Sequence, residues 1–119
     1  MAQVDIVEIE WVNGLLITLS YSDESMRELF YFERGDEAYP EGFERLFEPP
    51  KGIYAQGDIS GLKTRPRLSI VGTRAVSSYG RDVTWRLARE VAQGGVAIIS
   101  GLALGVDSLA HCGALDGSG

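Results

Sequence analysis

The first third of the chain contains three short runs in which apolar and polar residues alternate. These runs cover residues 4–12, 15–21 and 26–32. Alternation with period two is typical of half-buried strands. Asn13 and Gly14 separate the first two runs and tolerate the positive φ angles of a type I′ hairpin turn. The pattern therefore predicts a three-stranded antiparallel β meander over residues 1–35, beginning with a hairpin.

Residues 36–66 lack a sustained pattern and contain all four prolines of the chain. Because proline and glycine interrupt regular structure, this segment is predicted to be a connector with short ordered pieces. Residues 42–47 favour one helical turn. Residues 53–55 favour a short edge strand before the turn at 57–58.

From residue 67 to residue 119 the pattern changes to a strand, a glycine turn and a helix, and then repeats. The predicted strands cover residues 68–71 and 96–99, and the predicted helices cover 80–93 and 106–115. Both strand segments are continuous apolar runs, which are typical of parallel strands buried on two faces. An α/β fold class follows, in which the meander precedes a partial Rossmann-like parallel βαβα unit.

Composition narrows the classes of protein to consider. The 119 residues suit one domain, or a small domain with part of another, and 45% of them are hydrophobic, which is enough to build a core. The first residues resemble no secretory signal, and no apolar run approaches the roughly 20 residues that span a bilayer. We expect a cytoplasmic protein without membrane contact. The lone Cys112 is predicted to be a buried small residue.

The net charge of −6 conceals an asymmetry between the two halves of the chain. Residues 1–58 contain 13 acidic and four basic residues, whereas residues 59–119 contain four acidic and seven basic ones. The second half includes a local group of cations at Lys63, Arg65, Arg67 and Arg74. Such a group indicates either a polyanion-binding surface or an ordinary solvated face.

The first glycine turn places Gly72, Thr73 and Arg74 directly after a predicted strand. Ligands of parallel α/β sheets bind at the carboxyl ends of the strands, where glycine permits close approach of the backbone. Thr73 can donate one hydrogen bond to a phosphate oxygen, and the Arg74 guanidinium can bind a phosphate bidentately. The alternative is a tight turn with a solvent-exposed arginine.

The second glycine turn follows the second strand and begins with Ser100, Gly101, Leu102 and Ala103. Two turns at adjacent strand ends are expected to line one crevice. Asp107 lies near the start of the next helix, where it is expected to cap N–H groups, and His111 follows at the spacing of a hydrogen-bonded pair. The histidine has no companion ligands in the sequence, so neither a metal site nor a cofactor is predicted.

Several of these segments together resemble the DNA-processing protein A (DprA/Smf) family. The segments are YPE at 39–41, PP at 49–50, IY at 53–54, GD at 57–58, RLSIVGTRAVSSYG at 67–80 and SGLALGVDSLAHCGAL at 100–115. The resemblance implies a protein that binds single-stranded DNA and, in natural transformation, helps to load the RecA recombinase without catalysing a reaction. It also implies that Gly72, Thr73 and Arg74 contact DNA phosphates, and that residues 100–103 line the same pocket.

This chain departs from the family pattern at both ends. Family members continue beyond the second helix with further strands and a later basic motif, and their N-terminal region is helical. Half of a parallel core is expected to leave an open sheet edge and uncovered apolar surface. We therefore expect a homodimer, a higher oligomer or strand exchange between chains.

Two other classes of function stay open at this point. One is a nucleotide-binding or nucleoside-monophosphate-processing protein that shares the glycine turns, although the acidic catalytic groups of such enzymes are not found here. The other is a truncated interaction module that does not bind DNA, which the acidic net charge and the missing half of the core favour.

Overall fold

The structure is a computed structural model that describes residues 5–11, 16–21, 29–56 and 59–117. It is a mixed α/β protein with two small sheets. The strands are β1 (Asp5–Trp11), β2 (Leu16–Tyr21), β3 (Leu29–Glu33), β4 (Gly52–Gln56), β5 (Arg67–Ser69) and β6 (Ala97–Ile99). The helices are a 3-10 helix (Glu41–Arg45), α1 (Gly61–Thr64), α2 (Ser78–Gln93) and α3 (Val106–Asp116).

The first sheet has four antiparallel strands in the order β2-β1-β4-β3. The predicted pairing of the first two strands is confirmed by the register Val7↔Leu19. The Asn13–Gly14 turn lies outside the described residues. We refer to the described part of residues 5–56 as the sheet region.

The prediction of a three-stranded meander is wrong, because β3 pairs with β4 and not with β2. Cross-strand pairs stabilise the observed arrangement: Tyr31 lies opposite Tyr54, with ring centroids 4.8 Å apart. Gly52 leaves room for the Tyr31 ring, since a Cβ there would lie 2.0 Å from the Tyr31 hydroxyl oxygen. This pairing joins segments about 20 residues apart, so local alternation does not reveal it.

β4 is an interior strand, which corrects the predicted edge strand at residues 53–55. It pairs with β1 on one side and β3 on the other. The prolines at 49 and 50 precede the strand, so every residue of β4 retains the N–H group that pairing requires. Ile53 and Ala55 are completely buried. They belong to the aromatic core, which is formed by Tyr39, Phe43, Ile53, Ala55 and Leu62.

The second sheet pairs β5 and β6 in parallel, with α2 between them in sequence and α3 following, as predicted. We refer to residues 67–117 as the turn region. α2 and α3 pack on one another and on β6. Their contact is centred on the alanine core, which is formed by Ala88, Ala92, Ile98, Ala110 and Ala114.

Two expectations about burial in the turn region are wrong. All three residues of β5 are exposed, and Leu68 retains 38% of its surface, so this strand is not buried on two faces in the present chain. β6 alone is largely covered, because the helices and the aromatic core contact it. Cys112 is exposed, because the helix position it occupies faces away from the alanine core.

Candidate functional site

The two glycine turns leave neighbouring parallel strands at the same sheet edge. The Ile70 N–H donates to the Ile99 carbonyl at 3.0 Å, which extends the pairing of β5 and β6 into the first turn. Further along, the Val106 N–H donates to the Thr73 carbonyl at 3.1 Å. The two turns therefore form one continuous surface at the carboxyl ends of the strands, where α/β proteins bind ligands.

Glycine is required where the two turns touch. Gly105 adopts φ 95° and ψ −129°, and a Cβ there would lie 2.4 Å from the Thr73 carbonyl oxygen and 2.7 Å from the Arg74 Cα. A Cβ on Gly72 would lie 2.8 Å from a methyl group of Val106. Each turn thus packs its glycine against the other turn, so the backbone of one fixes the position of the other.

Leu102 holds the second turn in an uncommon conformation. Its φ is 58°, the left-handed region that residues with a Cβ rarely adopt, and such positions cluster at functional sites. Ala103, the next residue, accepts two hydrogen bonds through its carbonyl, from the Ser108 N–H at 3.1 Å and from the Ser108 hydroxyl. These bonds connect the turn to the first turn of α3.

Ser100 lies on the inner side of this turn, and the exposed Gly101 follows it. Ser100 is buried, and its hydroxyl donates to the Ile70 carbonyl at 2.6 Å. A Cβ on Gly101 would lie 3.0 Å from an Asp107 carboxylate oxygen. The structure therefore places Ser100 as a link between the two turns, with its hydroxyl already engaged, and places Gly101 over the buried Asp107.

Gly72, Thr73 and Arg74 are the exposed part of the first turn. Thr73 Oγ1 accepts a hydrogen bond from the Ala75 N–H at 3.1 Å, which orients the hydroxyl and leaves its proton available to a ligand. The Arg74 guanidinium forms no hydrogen bond or ion pair with any residue in the described ranges. No residue in those ranges therefore occupies its five donors, which suit an anion.

The first turn runs directly into the N-terminus of α2. The Ser77 side chain caps this helix by accepting from the Gly80 N–H at 3.1 Å. The first turn of α2 contains no acidic residue, so the partial positive charge of the helix end is not offset by a carboxylate there. α3 differs, because Asp107 lies in its first turn.

Asp107 and His111 form a buried polar pair beneath the second turn. No side-chain cap is present at Gly105, the N-cap of α3, and Asp107 Oδ1 is buried without a hydrogen-bond partner among the described atoms, so the predicted cap is not observed. His111 hydrogen-bonds the Ser100 backbone. Burial lowers the pKa of His111, while the Ser100 backbone and the Asp107 charge act in the opposite direction and do not reverse the shift. Both side chains support the turn from within.

Two of the four cations grouped in the sequence bond to backbone carbonyls of the protein, and the other two are exposed without such a bond. Lys63 Nζ donates to the Glu37 carbonyl at 2.6 Å, and the Arg67 guanidinium donates to the Leu62 carbonyl. Arg65 and Arg74 are exposed and have no such partner in the described part of the chain. Arg74 is the member that belongs to the two turns.

Three large apolar side chains near the turns are absent from the predicted site, and only one of them, Tyr79, is a candidate for base stacking from its sequence position. Val71 is 71% exposed, and Tyr79 and Leu104 are each 79% exposed. The high exposure of Tyr79 means that most of its ring is not covered by the rest of the described residues. The available signal was their placement, since Val71 precedes Gly72, Leu104 precedes Gly105 and Tyr79 lies in the first turn of α2.

Within the described residues, no group of three or more histidine, cysteine, aspartate or glutamate side chains is arranged to hold a metal ion. The helices of that same part of the chain are also too short or too polar to cross a membrane.

The chain is similar in sequence and in structure to known proteins. The family model described as DNA recombination-mediator protein A matches residues 30–119. The DNA processing protein DprA of Bacillus subtilis is 35% identical over 81 residues, which are 68% of this chain and 27% of that protein. Protein Smf of Escherichia coli is 35% identical over 83 residues, which are 70% of this chain and 22% of that protein.

A solved structure of DNA processing protein A from Helicobacter pylori, described for its single-stranded DNA binding mode, has a TM-score of 0.67 and 40% identity. The match covers 74% of this chain and 39% of that one. The present chain spans about a quarter of the length of the curated relatives it matches. With most of its residues matched by the family model, the chain belongs to the DNA recombination-mediator protein A family, whose relatives carry the names DprA and Smf.

Proposed function

We propose that this chain binds single-stranded DNA through phosphate contacts at the two glycine turns. The observation that carries the proposal is the exposed Gly72-Thr73-Arg74 turn, fixed against the second turn and presenting an arginine with no partner among the described residues. The Helicobacter pylori protein, similar in sequence and fold, is described as binding single-stranded DNA, which supports the same ligand here.

Electrostatics favours the second half of the chain, which contains the turn region, as the side that meets DNA. Residues 59–119 carry a net charge of +3, whereas residues 1–58 carry −9. Phosphate contacts contribute much of the affinity of proteins for nucleic acids and make it sensitive to salt. The uncompensated N-terminus of α2 adds a further attraction for an anion beside Arg74.

We also propose the finer parts of the family's role for this chain: DNA processing in natural transformation and recombination, loading of a RecA-type recombinase, and binding without catalysis. The exposed residues of the first turn are a glycine, a threonine and an arginine, and the titratable Asp107 and His111 are buried, which favours binding over chemistry. Self-association is supported by the exposure of β5. A pull-down tests binding of a RecA-type recombinase, and sedimentation velocity tests self-association.

The test of DNA binding is fluorescence anisotropy with a labelled single-stranded oligonucleotide at low and high salt. Arg74→Ala is expected to weaken binding by about 1 to 3 kcal/mol, the range for a hydrogen bond to a charged group. It should also lower the slope of log affinity against log salt by about 0.7, the contribution of one phosphate contact on a single strand.

Arg86→Ala is the matched control, because it removes the same charge from an exposed arginine on α2 that pairs with Asp82. This variant should bind nearly as tightly as the unmodified chain. Equal losses of affinity in the two variants would mean that Arg74 makes no direct contact with the DNA and acts only through its charge. Displacement of the oligonucleotide by a mononucleotide at equal nucleotide concentration would favour a free-nucleotide site instead.

A further inference from the structure

We propose that Leu104 and Tyr79 form an apolar platform for nucleobases beside Arg74, so that the site binds whole nucleotides and not phosphate groups alone. The inference rests on the proposed binding of single-stranded DNA and adds residues that contact its bases. Both side chains are 79% exposed, and both belong to the segments that form the two turns and the helix they lead into.

Leu104 lies next to Arg74 because of how the turns pack. The following residue, Gly105, fits so closely against the first turn that a Cβ on it would lie 2.7 Å from the Arg74 Cα. The positive φ angles of Leu102 and Gly105 flank Leu104 and determine the path of the turn around it. A leucine is therefore displayed to solvent within one residue of the contact with Arg74.

Tyr79 follows the first turn in the sequence, five residues after Arg74. It is the second residue of α2, whose buried positions are Thr84, Ala88 and Ala92, and the Ser77 cap fixes the start of the helix. The ring has no place in the contact between α2 and α3, because that contact is centred on the alanine core. Its exposure leaves a face on which a planar base can stack.

A cationic group beside exposed apolar side chains suits single-stranded DNA, which exposes both phosphates and base faces. Proteins that bind single-stranded nucleic acid pair cationic groups for the backbone with aromatic or apolar side chains for the bases. A single exposed apolar residue is ordinary on a protein surface. Here one large apolar residue, Leu104, adjoins the contact between Gly105 and Arg74, and another, Tyr79, lies in the helix into which the first turn leads. Arg74 itself makes no ion pair within the described residues. Duplex DNA buries its base faces, so this platform would favour single strands.

The test compares an oligothymidylate with an oligonucleotide of equal length whose sugars lack bases, both labelled and both measured by anisotropy. The two ligands carry the same phosphates, so they differ only in what Leu104 and Tyr79 would contact. We expect the unmodified chain to bind the abasic strand about ten-fold more weakly, a typical effect of losing a stacked base. The double variant Leu104→Ala/Tyr79→Ala should bind both strands with the same, weaker affinity and with an unchanged salt slope.

Phe47→Ala is the control, since Phe47 is 99% exposed and lies in the sheet region. It should retain the preference for the strand with bases. Because all three substitutions remove exposed side chains, circular dichroism should show the same fold in each variant. Salt-sensitive binding with equal affinity for the two strands in the unmodified chain would overturn the base platform and leave the phosphate site standing. Absence of salt-sensitive binding to either strand would overturn both proposals.

Discussion

The sheet region and the turn region achieve packing by opposite means. The sheet region relies on large side chains: the rings of Tyr39 and Phe43 lie 5.9 Å apart and share the aromatic core with the completely buried Ile53. The turn region relies on small residues that let backbones approach. A Cβ on Gly113 of α3 would lie 2.3 Å from the carbonyl oxygen of Trp85 on α2. One region is held by side chains and the other by the fit of its backbone.

This difference explains where a binding site can form. Large buried side chains stabilise a region without specifying its surface, and the sheet region shows mainly acidic charge. Close backbone contacts instead fix the course of each turn, including that of the exposed Arg74 between Gly72 and Gly105. A preorganised turn binds an anion without having to be ordered first, so less affinity is lost on binding.

The largest expected effect comes from adding one methyl group where the turns meet. Gly105→Ala introduces a Cβ into a backbone conformation that glycine alone adopts readily, and against the backbone atoms of Thr73 and Arg74. Strain and overpacking together should lower the free energy of unfolding by about 4 kcal/mol. Urea denaturation followed by circular dichroism measures this change.

Gly95→Ala measures the cost of backbone strain without the cost of a steric clash. Gly95 also has a positive φ, 83°, but a Cβ there would meet nothing within 4 Å. This variant should lose only about 1 kcal/mol, the cost of a left-handed conformation. If both variants lost the same amount, the close fit between the two turns would contribute nothing, and the contrast between the regions would fail.

A smaller effect is expected from a cavity in the sheet region. Ile53→Ala removes a completely buried side chain from the aromatic core and should lower the free energy of unfolding by about 3 kcal/mol. Phe47→Ala removes a larger but exposed side chain and should change it by less than about 0.5 kcal/mol. Similar losses in these two variants would show that the aromatic core does not stabilise the sheet region.

The turn region was the easier one to predict from sequence, because its signals are local. An apolar run, a glycine turn and a helical period follow one another in order, so β6, α2 and α3 lie within about two residues of their predicted limits. The sheet region was harder, since the pairing of β3 with β4 depends on residues about 20 positions apart. Alternation identified strands there but not their neighbours.

Within the site, residue type predicted which side chains have groups that can bind a ligand. It did not predict which of these groups already form hydrogen bonds within the protein. Ser100 and Thr73 are both hydroxyl residues in glycine turns, yet only Thr73 is exposed, because the Ser100 hydroxyl bonds the Ile70 carbonyl across the strands. The exposure of Leu104 and Tyr79 likewise depends on how the turns pack together. Hydrophobic residues in a sequence are expected to be buried, so residue type alone did not identify these two. The signal for them was their position, Leu104 before Gly105 and Tyr79 in the first turn of α2.

The smallest effect concerns the pH dependence of stability in the turn region. Burial lowers the pKa of His111 from its usual value near 6.5, so the folded chain favours the neutral imidazole. As the pH falls, the unfolded chain therefore binds more protons than the folded chain, and the free energy of unfolding decreases. The stabilisation should be fully present above about pH 6.5 and lost as the pH falls through the lower pKa of the folded state.

His111 is the chain's single histidine, so few other side chains titrate between pH 5 and 7. The urea concentration at the midpoint of denaturation should therefore decrease as the pH is lowered through this range. The decrease should be smaller for His111→Gln, whose side chain cannot be protonated. The nearby Asp107 favours the protonated imidazole and makes the expected decrease modest. Identical pH profiles for the two chains would mean that burial of the imidazole does not couple protonation to the packing beneath the second turn.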